Sequence, residues 1–243
     1  MEFDIPTEIQ ATLDALDEFI EREIRPLEQQ DDNIRFFDHR REWARTDFDN
    51  GGVPRPEWEA LLAEMRRRAD AAGWLRLSLP AEYGGRDASN LEMAIIREHL
   101  ATKGLGLFND LQNESSIVGN FPTVLMMRDH GTEAQKAEWM PGFLDGSRRL
   151  AFGLTEPNHG SDPGSMITRA RSVDGGIRLS GSKMWISNSP IADVFVVWAK
   201  DDEGAIRGFV LDKGAKGLSA PAIHGKVGPV SYTHLTLPTI LLV

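Results

Sequence analysis

The chain has 243 residues, of which 41% are hydrophobic and 26% charged, so it is long enough for one or two globular domains with a sizeable core. Its formal net charge of -10 argues against nucleic acid as the main partner, because phosphate binding requires concentrated Lys and Arg. The chain contains no cysteine, which excludes disulfides, thiolate metal sites and cysteine nucleophiles.

The N-terminal segment 1–6 is acidic and lacks the apolar stretch of a signal peptide. No uncharged apolar run approaches the length of a membrane span. Together with the missing cysteines, these features predict a cytoplasmic protein without a membrane span.

Helical patterns dominate residues 1–148. A capping box at residues 7–10 opens a first helix, whose apolar residues recur at helical spacing from Ile9 to Leu27. Residues 31–55 are crowded with charges and end near an Asn-Gly-Gly sequence, which indicates a polar connection or a short exposed helix. Further helices are predicted from Pro56 to Gly73, from Glu114 to Asp129 with a kink or restart at Pro122, and, each opened by a capping residue, from Ser89 to Gly104 and from Thr132 to about Pro141.

Strand patterns replace the helical ones after Leu150. Alternating apolar and polar residues flank a glycine turn at 174–176, and apolar runs flank a second Gly-containing turn at 201–204, which predicts two hairpins. An all-α half followed by an all-β half indicates the α+β class. We therefore expect a helical domain at 1–148 and an incomplete, barrel-like or sandwich-like β domain at 149–228. An atypical tail follows at 229–243, where the absence of charged residues fits a short buried strand or foreign, frame-shifted sequence.

The loop from Thr155 to Ser161 is the first candidate binding element. It combines two hydroxyls with a proline-fixed bend and with Gly160, which allows a ligand to approach the backbone closely. Such a loop suits an anionic, hydrogen-bonding ligand. On local chemistry alone, a solvated turn between the two halves explains it equally well.

The second candidate is the segment Trp185-Ile186-Ser187. An indole can cover one face of a planar heterocycle, and residues two apart on a strand point to the same side. The Ser187 hydroxyl could then hydrogen-bond a ring nitrogen of the same ligand. A core tryptophan beside an ordinary strand serine is the alternative.

Four motifs, in this order, resemble those of acyl-CoA dehydrogenases. They are P-x-x-Y-G-G at 80–85, G-T-E-x-Q-K at 131–136, the loop at 152–161 and W-I-S at 185–187. The resemblance covers about residues 5–228 and implies FAD as the cofactor. It implies that the flavin and its phosphates are contacted by Phe152, Leu154, Thr155, Gly160, Ser161, Trp185, Ile186 and Ser187. Ser161 would also contact the acyl-CoA substrate.

The resemblance also implies the activity, which is oxidation of an acyl-CoA to a trans-2-enoyl-CoA in fatty acid metabolism. Electrons would pass to a separate carrier such as a flavoprotein, and the parent enzyme would be a homotetramer. The loop at 154–163 is most similar to the glutaryl-CoA dehydrogenase branch. That branch binds a distal carboxylate through an arginine, and residues 104–110 contain none, so we expect an uncharged acyl chain.

The sequence departs from the family pattern after Gly228, where family members complete the β domain and add a helical domain that carries the catalytic glutamate. The resemblance therefore implies a C-terminally truncated enzyme, and no catalytic residue is assigned. Two alternatives stay open at this point. One is a non-catalytic module that binds FAD and acyl-CoA or another protein, and the other is a relative of the acyl-CoA oxidase or nitroalkane oxidase type.

Overall fold

The computed structural model describes residues 4–110 and 115–221, and the backbone of residues 232–242. The chain divides into two compact units. The helical unit comprises the chain up to Arg45 together with Arg55–Gly146, and the β unit comprises Thr46–Pro54 and the chain from Ser147 onward. Within the β unit, Thr46–Pro54 carries a small antiparallel ribbon of β1 (Thr46–Asp47) and β2 (Val53–Pro54).

Seven α-helices and a short ribbon make up the described part of the helical unit. Helix α1 continues through a π-helical turn, Ile20–Ile24, directly into α2. The helices are α1 (Thr7–Phe19), α2 (Arg25–Gln29), α3 (Arg41–Arg45), α4 (Pro56–Ala71), α5 (Asn90–Thr102), α6 (Pro122–His130) and α7 (Glu133–Asp145). The ribbon pairs β3 (Asn109–Asp110) with β4 (Ser115–Ser116). None of the helices among the described residues is long and apolar enough to cross a membrane.

The predicted apolar stripe of the first helix is confirmed. Leu16 and Ile24 are fully buried, and Ile20 is nearly so. These side chains join those of α4 and α5 in one core, because residues three or four apart share a helix face. The helical periodicity of the sequence therefore predicted which face of this segment is buried.

Two of the three predicted helix caps form as expected. The Thr132 hydroxyl accepts the amide of Gln135, whose side chain in turn accepts the Thr132 amide, and Ser89 caps α5. The capping box at residues 7–10 was wrong, because Pro6 is the N-cap residue and no side chain caps α1. The predicted end of α7 near Pro141 was also wrong. The helix continues through this proline to Asp145. The next residue, Gly146, has a φ of 75° and ends the helix in a left-handed conformation.

Residues 31–55 are more ordered than a polar connection. They form a 3-10 turn (Asn33–Phe36), helix α3 and the β1–β2 ribbon. Arg45 at the end of α3 is buried and pairs with Asp110, with 2.6 Å between Nη1 and Oδ2. Its guanidinium lies 4.4 Å from the centre of the Trp58 ring. The charged side chain of Arg45, which lies in this polar stretch, is therefore part of the buried interior of the helical unit.

Six strands form the sheet of the β unit: β5 (Leu150–Gly153), β6 (Arg169–Val173), β7 (Gly176–Ser187), β8 (Val194–Lys200), β9 (Ile206–Asp212) and β10 (Tyr232–Leu242). The strand order is β10-β7-β6-β8-β5, and β9 pairs with β8. Both predicted hairpins form, as β6–β7 and β8–β9, and the α+β class is confirmed. In the predicted atypical tail, β10 runs antiparallel to β7, whereas residues 229–231 and 243 lie outside the described residues.

Candidate functional site

The loop at 154–168 and the end of strand β7 lie side by side in the β unit. The Met184 amide donates to the Thr155 carbonyl over 2.8 Å. The Lys183 ammonium donates to the Leu154 carbonyl over 3.0 Å. The two candidate binding segments of the sequence are therefore joined by hydrogen bonds.

Two aromatic side chains flank this junction with unusually large exposure. Phe152 is 45% exposed and Trp185 is 51% exposed. The Phe152 ring packs against Trp198, with 5.8 Å between ring centres, which fixes its orientation. Exposed aromatic surface beside a loop is typical of a site that covers an apolar or planar ligand.

Three hydroxyls of the two segments are available to a ligand. Ser161 and Ser187 are exposed, and Thr155 is half-buried. Within the two described ranges, none of these hydroxyls makes a side-chain hydrogen bond. A Cβ atom added at Gly160 would meet no atom within 4 Å, so the backbone there faces open space. Aromatic surface, hydroxyls without a side-chain hydrogen bond and an open glycine together suit a planar ligand that carries polar and anionic groups.

Two residues that the resemblance placed in the site are less accessible. Ile186 is 2% exposed and belongs to the core of the β unit, so only its backbone can face a ligand. Leu154 is half-buried, and its carbonyl already accepts from Lys183. Contact with a ligand is therefore left to the backbone of Ile186 and to the partly exposed side chain of Leu154.

Near the end of strand β7, the side chains that face the core change from odd-numbered to even-numbered positions. Leu179 and Lys183 face inward at odd positions, but Ile186 faces inward at an even one. Between them Trp185 has φ 59°, in the left-handed region that aromatic residues rarely adopt, and the pairing with β10 is irregular here. This local bulge turns Trp185 outward while Ile186 stays in the core. Simple strand alternation could not have predicted it.

Sequence reasoning missed the buried polar group under the loop. The Glu156 carboxylate accepts the amides of Ile167 and Thr168 over 2.7 and 2.9 Å, together with the Thr168 hydroxyl. It also pairs with the Lys183 ammonium over 2.9 Å, and the two side chains are 1% and 0% exposed. One signal was present, since Lys183 occupies the same inward phase as Leu179. A charge at an inward strand position requires a buried partner.

The pKa values of this pair follow from burial and hydrogen bonding. Burial raises the pKa of Glu156, but hydrogen bonds from Ile167, Thr168 and Lys183 outweigh it and lower the pKa to about 2. Burial lowers the pKa of Lys183, and its contact with Glu156 opposes that shift. Glu156 is thus a permanent carboxylate at neutral pH and a poor proton acceptor.

Two family profiles match the chain in succession. "Acyl-CoA dehydrogenase, N-terminal domain" matches residues 35–147, and "Acyl-CoA dehydrogenase, middle domain" matches residues 151–237. Among curated proteins, a probable acyl-CoA dehydrogenase of Bacillus subtilis is 34% identical over 68% of this chain. The mitochondrial isovaleryl-CoA dehydrogenase of Oryza sativa subsp. japonica is 33% identical over 63% of it.

A solved structure of similar fold is the glutaryl-CoA dehydrogenase of Mycobacterium smegmatis in complex with FADH2. It is 27% identical, with a TM-score of 0.69 over 98% of this chain. The chain covers 54% of that structure, and its matches cover 27% and 37% of the two curated relatives. The chain therefore spans about half or less of the proteins it is similar to.

Proposed function

Because the chain belongs to the acyl-CoA dehydrogenase family, we propose that its β unit holds FAD against the surface formed by Phe152, the loop at 154–161 and Trp185. The observation that carries this proposal is the junction of two exposed aromatic rings and three uncommitted hydroxyls, held together by the bond from Met184 to Thr155. The FADH2 complex of the Mycobacterium smegmatis relative supports the choice of cofactor.

Each residue has a separate part in this proposal. Trp185 covers the ring system, and the hydroxyls of Thr155 and Ser187 hydrogen-bond its polar edge. Gly160 and Ser161 receive the phosphates, because the backbone there is open and the hydroxyl is free. When bound, FAD would supply the acceptor for the hydride that leaves the β-carbon of an acyl-CoA.

The proposed substrate is an acyl-CoA with an uncharged chain, contacted by Ser161, which is converted to a trans-2-enoyl-CoA. Residues 104–110 contain no arginine to bind a distal carboxylate, and Asp110 is itself occupied by Arg45. The isovaleryl-CoA dehydrogenase among the relatives acts, by its name, on an uncharged chain. As further proposals, a flavoprotein carrier accepts the electrons and the parent enzyme is a homotetramer.

We propose that this chain by itself does not turn over substrate. The reaction requires a base for the α-proton, and the carboxylates of the loop are unsuited to that role. Glu156 is buried and accepts hydrogen bonds from Ile167, Thr168 and Lys183, which lower the pKa of its carboxyl group to about 2. The pKa of Asp162 is also lowered, mainly by its hydrogen bond with Ser165. Neither of these two carboxylates therefore fits the role of the base, which supports the proposal that this part of the enzyme does not turn over substrate by itself.

Titration of the purified chain with FAD, followed by flavin fluorescence, tests the first proposal. We expect saturable binding, and its absence would contradict the cofactor assignment. Incubation of the FAD-loaded chain with straight and branched acyl-CoA thioesters and a redox dye tests the second. We expect no dye reduction above the level without substrate, and sustained reduction would show that a base is present after all.

A further inference from the structure

The buried ammonium of Lys183 links the two candidate binding segments. It donates to the Leu154 carbonyl over 3.0 Å and to the Glu156 carboxylate over 2.9 Å. Both acceptors lie in the loop, whereas Lys183 itself lies on β7, two residues before Trp185. A single side chain thus fixes where the loop sits along the strand.

This contact lies next to the proposed ligand-binding residues of both segments. On the loop, Thr155 lies between the two acceptors, and its carbonyl accepts the Met184 amide. On the strand, the backbone turns left-handed immediately after Met184, at Trp185. A strained conformation persists only where its surroundings hold it in place. The ion pair supplies that support, since both side chains are buried away from water.

We propose that Lys183 is a positioning residue that sets the register between the loop and β7, and thereby places the Thr155 hydroxyl and the Trp185 ring for FAD. This inference rests on the proposed function for the identity of the ligand. The register itself is a property of the chain without ligand, and it can be measured separately. Lys183 does not contact the ligand in this proposal, because its ammonium is fully buried.

A purely stabilising ion pair is the competing explanation. Replacing both members of a buried pair by neutral side chains of similar size often leaves stability intact. The double variant Lys183→Met with Glu156→Gln therefore separates the two explanations. The single oxygen of the amide side chain introduced at position 156 still accepts the Thr168 amide, and the amide of the exposed Ile167 can bind water instead. The Leu154 carbonyl, however, loses its ammonium donor.

The experiment compares wild type, the double variant and Arg207→Met as a matched control. Arg207, which lies on β9, forms an exposed ion pair with Asp201. Among the described residues, its side chain makes no hydrogen bond with the loop at 154–161. Three quantities are measured for each protein: the urea unfolding midpoint, the hydrogen exchange rate of the Met184 amide without FAD, and the FAD dissociation constant. We expect the double variant to keep its unfolding midpoint, to exchange Met184 about tenfold faster and to bind FAD about tenfold more weakly, the effect of one misplaced hydrogen bond. The control should match wild type in all three.

Unchanged exchange at Met184 would overturn the inference, and so would faster exchange with unchanged FAD affinity. If wild type itself binds no FAD, the proposed function fails, and the exchange rates alone decide whether Lys183 sets the register. If the double variant does not fold, Lys183→Arg replaces it. Arginine keeps the charge, but its larger planar head group does not fit the fully buried position of the ammonium unless the loop shifts. We expect this variant to stay folded with faster Met184 exchange, and wild-type exchange would overturn the inference.

Discussion

The two units each contain a buried ion pair, and the two pairs differ in how many of their polar atoms have hydrogen-bond partners in the protein. In the β unit, Glu156 is surrounded by donors, and Lys183 reaches two acceptors. In the helical unit, Arg45 pairs with Asp110 and donates to the Phe36 carbonyl, but its Nη2 atom is buried without a hydrogen-bond partner among the described residues. Aromatic rings of Phe37 and Trp58 cover the guanidinium instead.

This difference indicates two different roles. The Arg45 pair joins α3 to the β3–β4 ribbon, 65 residues apart in the chain, and is enclosed by core side chains. The Lys183 pair lies directly beneath a surface that exposes aromatic rings and free hydroxyls. We infer that the first anchors the fold and that the second prepares a binding surface. Substitutions and pH changes can test each side of this comparison.

The largest effect is expected for Arg45→Met. The substitution leaves the Asp110 carboxylate buried without its cation, which costs about 3–5 kcal/mol of unfolding free energy for buried pairs. Urea unfolding followed by circular dichroism measures it. Arg67→Met is the matched control, because Arg67 is 67% exposed and the pairing of an exposed arginine with Glu64 contributes little to stability. Equal effects of the two substitutions would contradict the anchoring role.

A smaller effect on the free energy of unfolding is expected when the pH is lowered. Glu156 titrates at about 2 when folded, against a usual pKa of 4.5, so its carboxylate stabilises the fold above pH 4.5. That contribution is lost as the pH falls through 4.5 toward 2. We expect the stability of wild type, measured relative to the double variant Lys183→Met with Glu156→Gln, to fall by about 2 kcal/mol across this window and to stay level from about pH 5 to 7, because the double variant lacks both titrating groups of the pair. Unfolding curves at fixed pH values measure it, and a difference that does not vary with pH would argue against a charged Glu156.

The smallest effect on stability is expected for Gly160→Leu. A Cβ atom added there meets no protein atom within 4 Å, and residue 160 is exposed, so the unfolding free energy should change by less than about 0.5 kcal/mol. If FAD phosphates approach this backbone, the same side chain should weaken FAD binding by at least about tenfold, equivalent to about 1.4 kcal/mol. Calorimetric titration of the variant and of wild type checks this. If the Gly160→Leu variant binds FAD with wild-type affinity, the proposed contact between the phosphates and this backbone is wrong.

The fold was largely predictable from local patterns. The stripe from Ile9 to Leu27, the cap at Thr132 and the turns of both hairpins are signals carried by neighbouring residues. The errors arose where a local signal competed with another one. Pro6 replaced the predicted cap at Thr7, and Pro141 was tolerated because the left-handed Gly146 provided a stronger stop.

The candidate site was predictable only in part. Exposed residues such as Trp185 and Ser187 were found through motifs, and their contacts with FAD remain predictions. The supporting pairs were not found, because Arg45 and Asp110 are 65 residues apart, and Glu156 and Lys183 are 27 apart. The inward position of Lys183 on its strand was a signal that a partner exists, but local sequence does not identify a partner so far away, and a charged residue is exposed far more often than buried. The left-handed backbone at Trp185 was equally invisible, since an aromatic residue is an unusual occupant of that conformation.

We propose above all that Phe152, the loop at 154–161 and the end of β7 form the surface that binds FAD. Hydrogen exchange of the chain with and without FAD, read by mass spectrometry on overlapping peptides, tests it most directly. We predict slower exchange with FAD in peptides spanning 152–165 and 183–188, and unchanged exchange in α4 and α5. FAD binding without protection in either of those segments would contradict the claim.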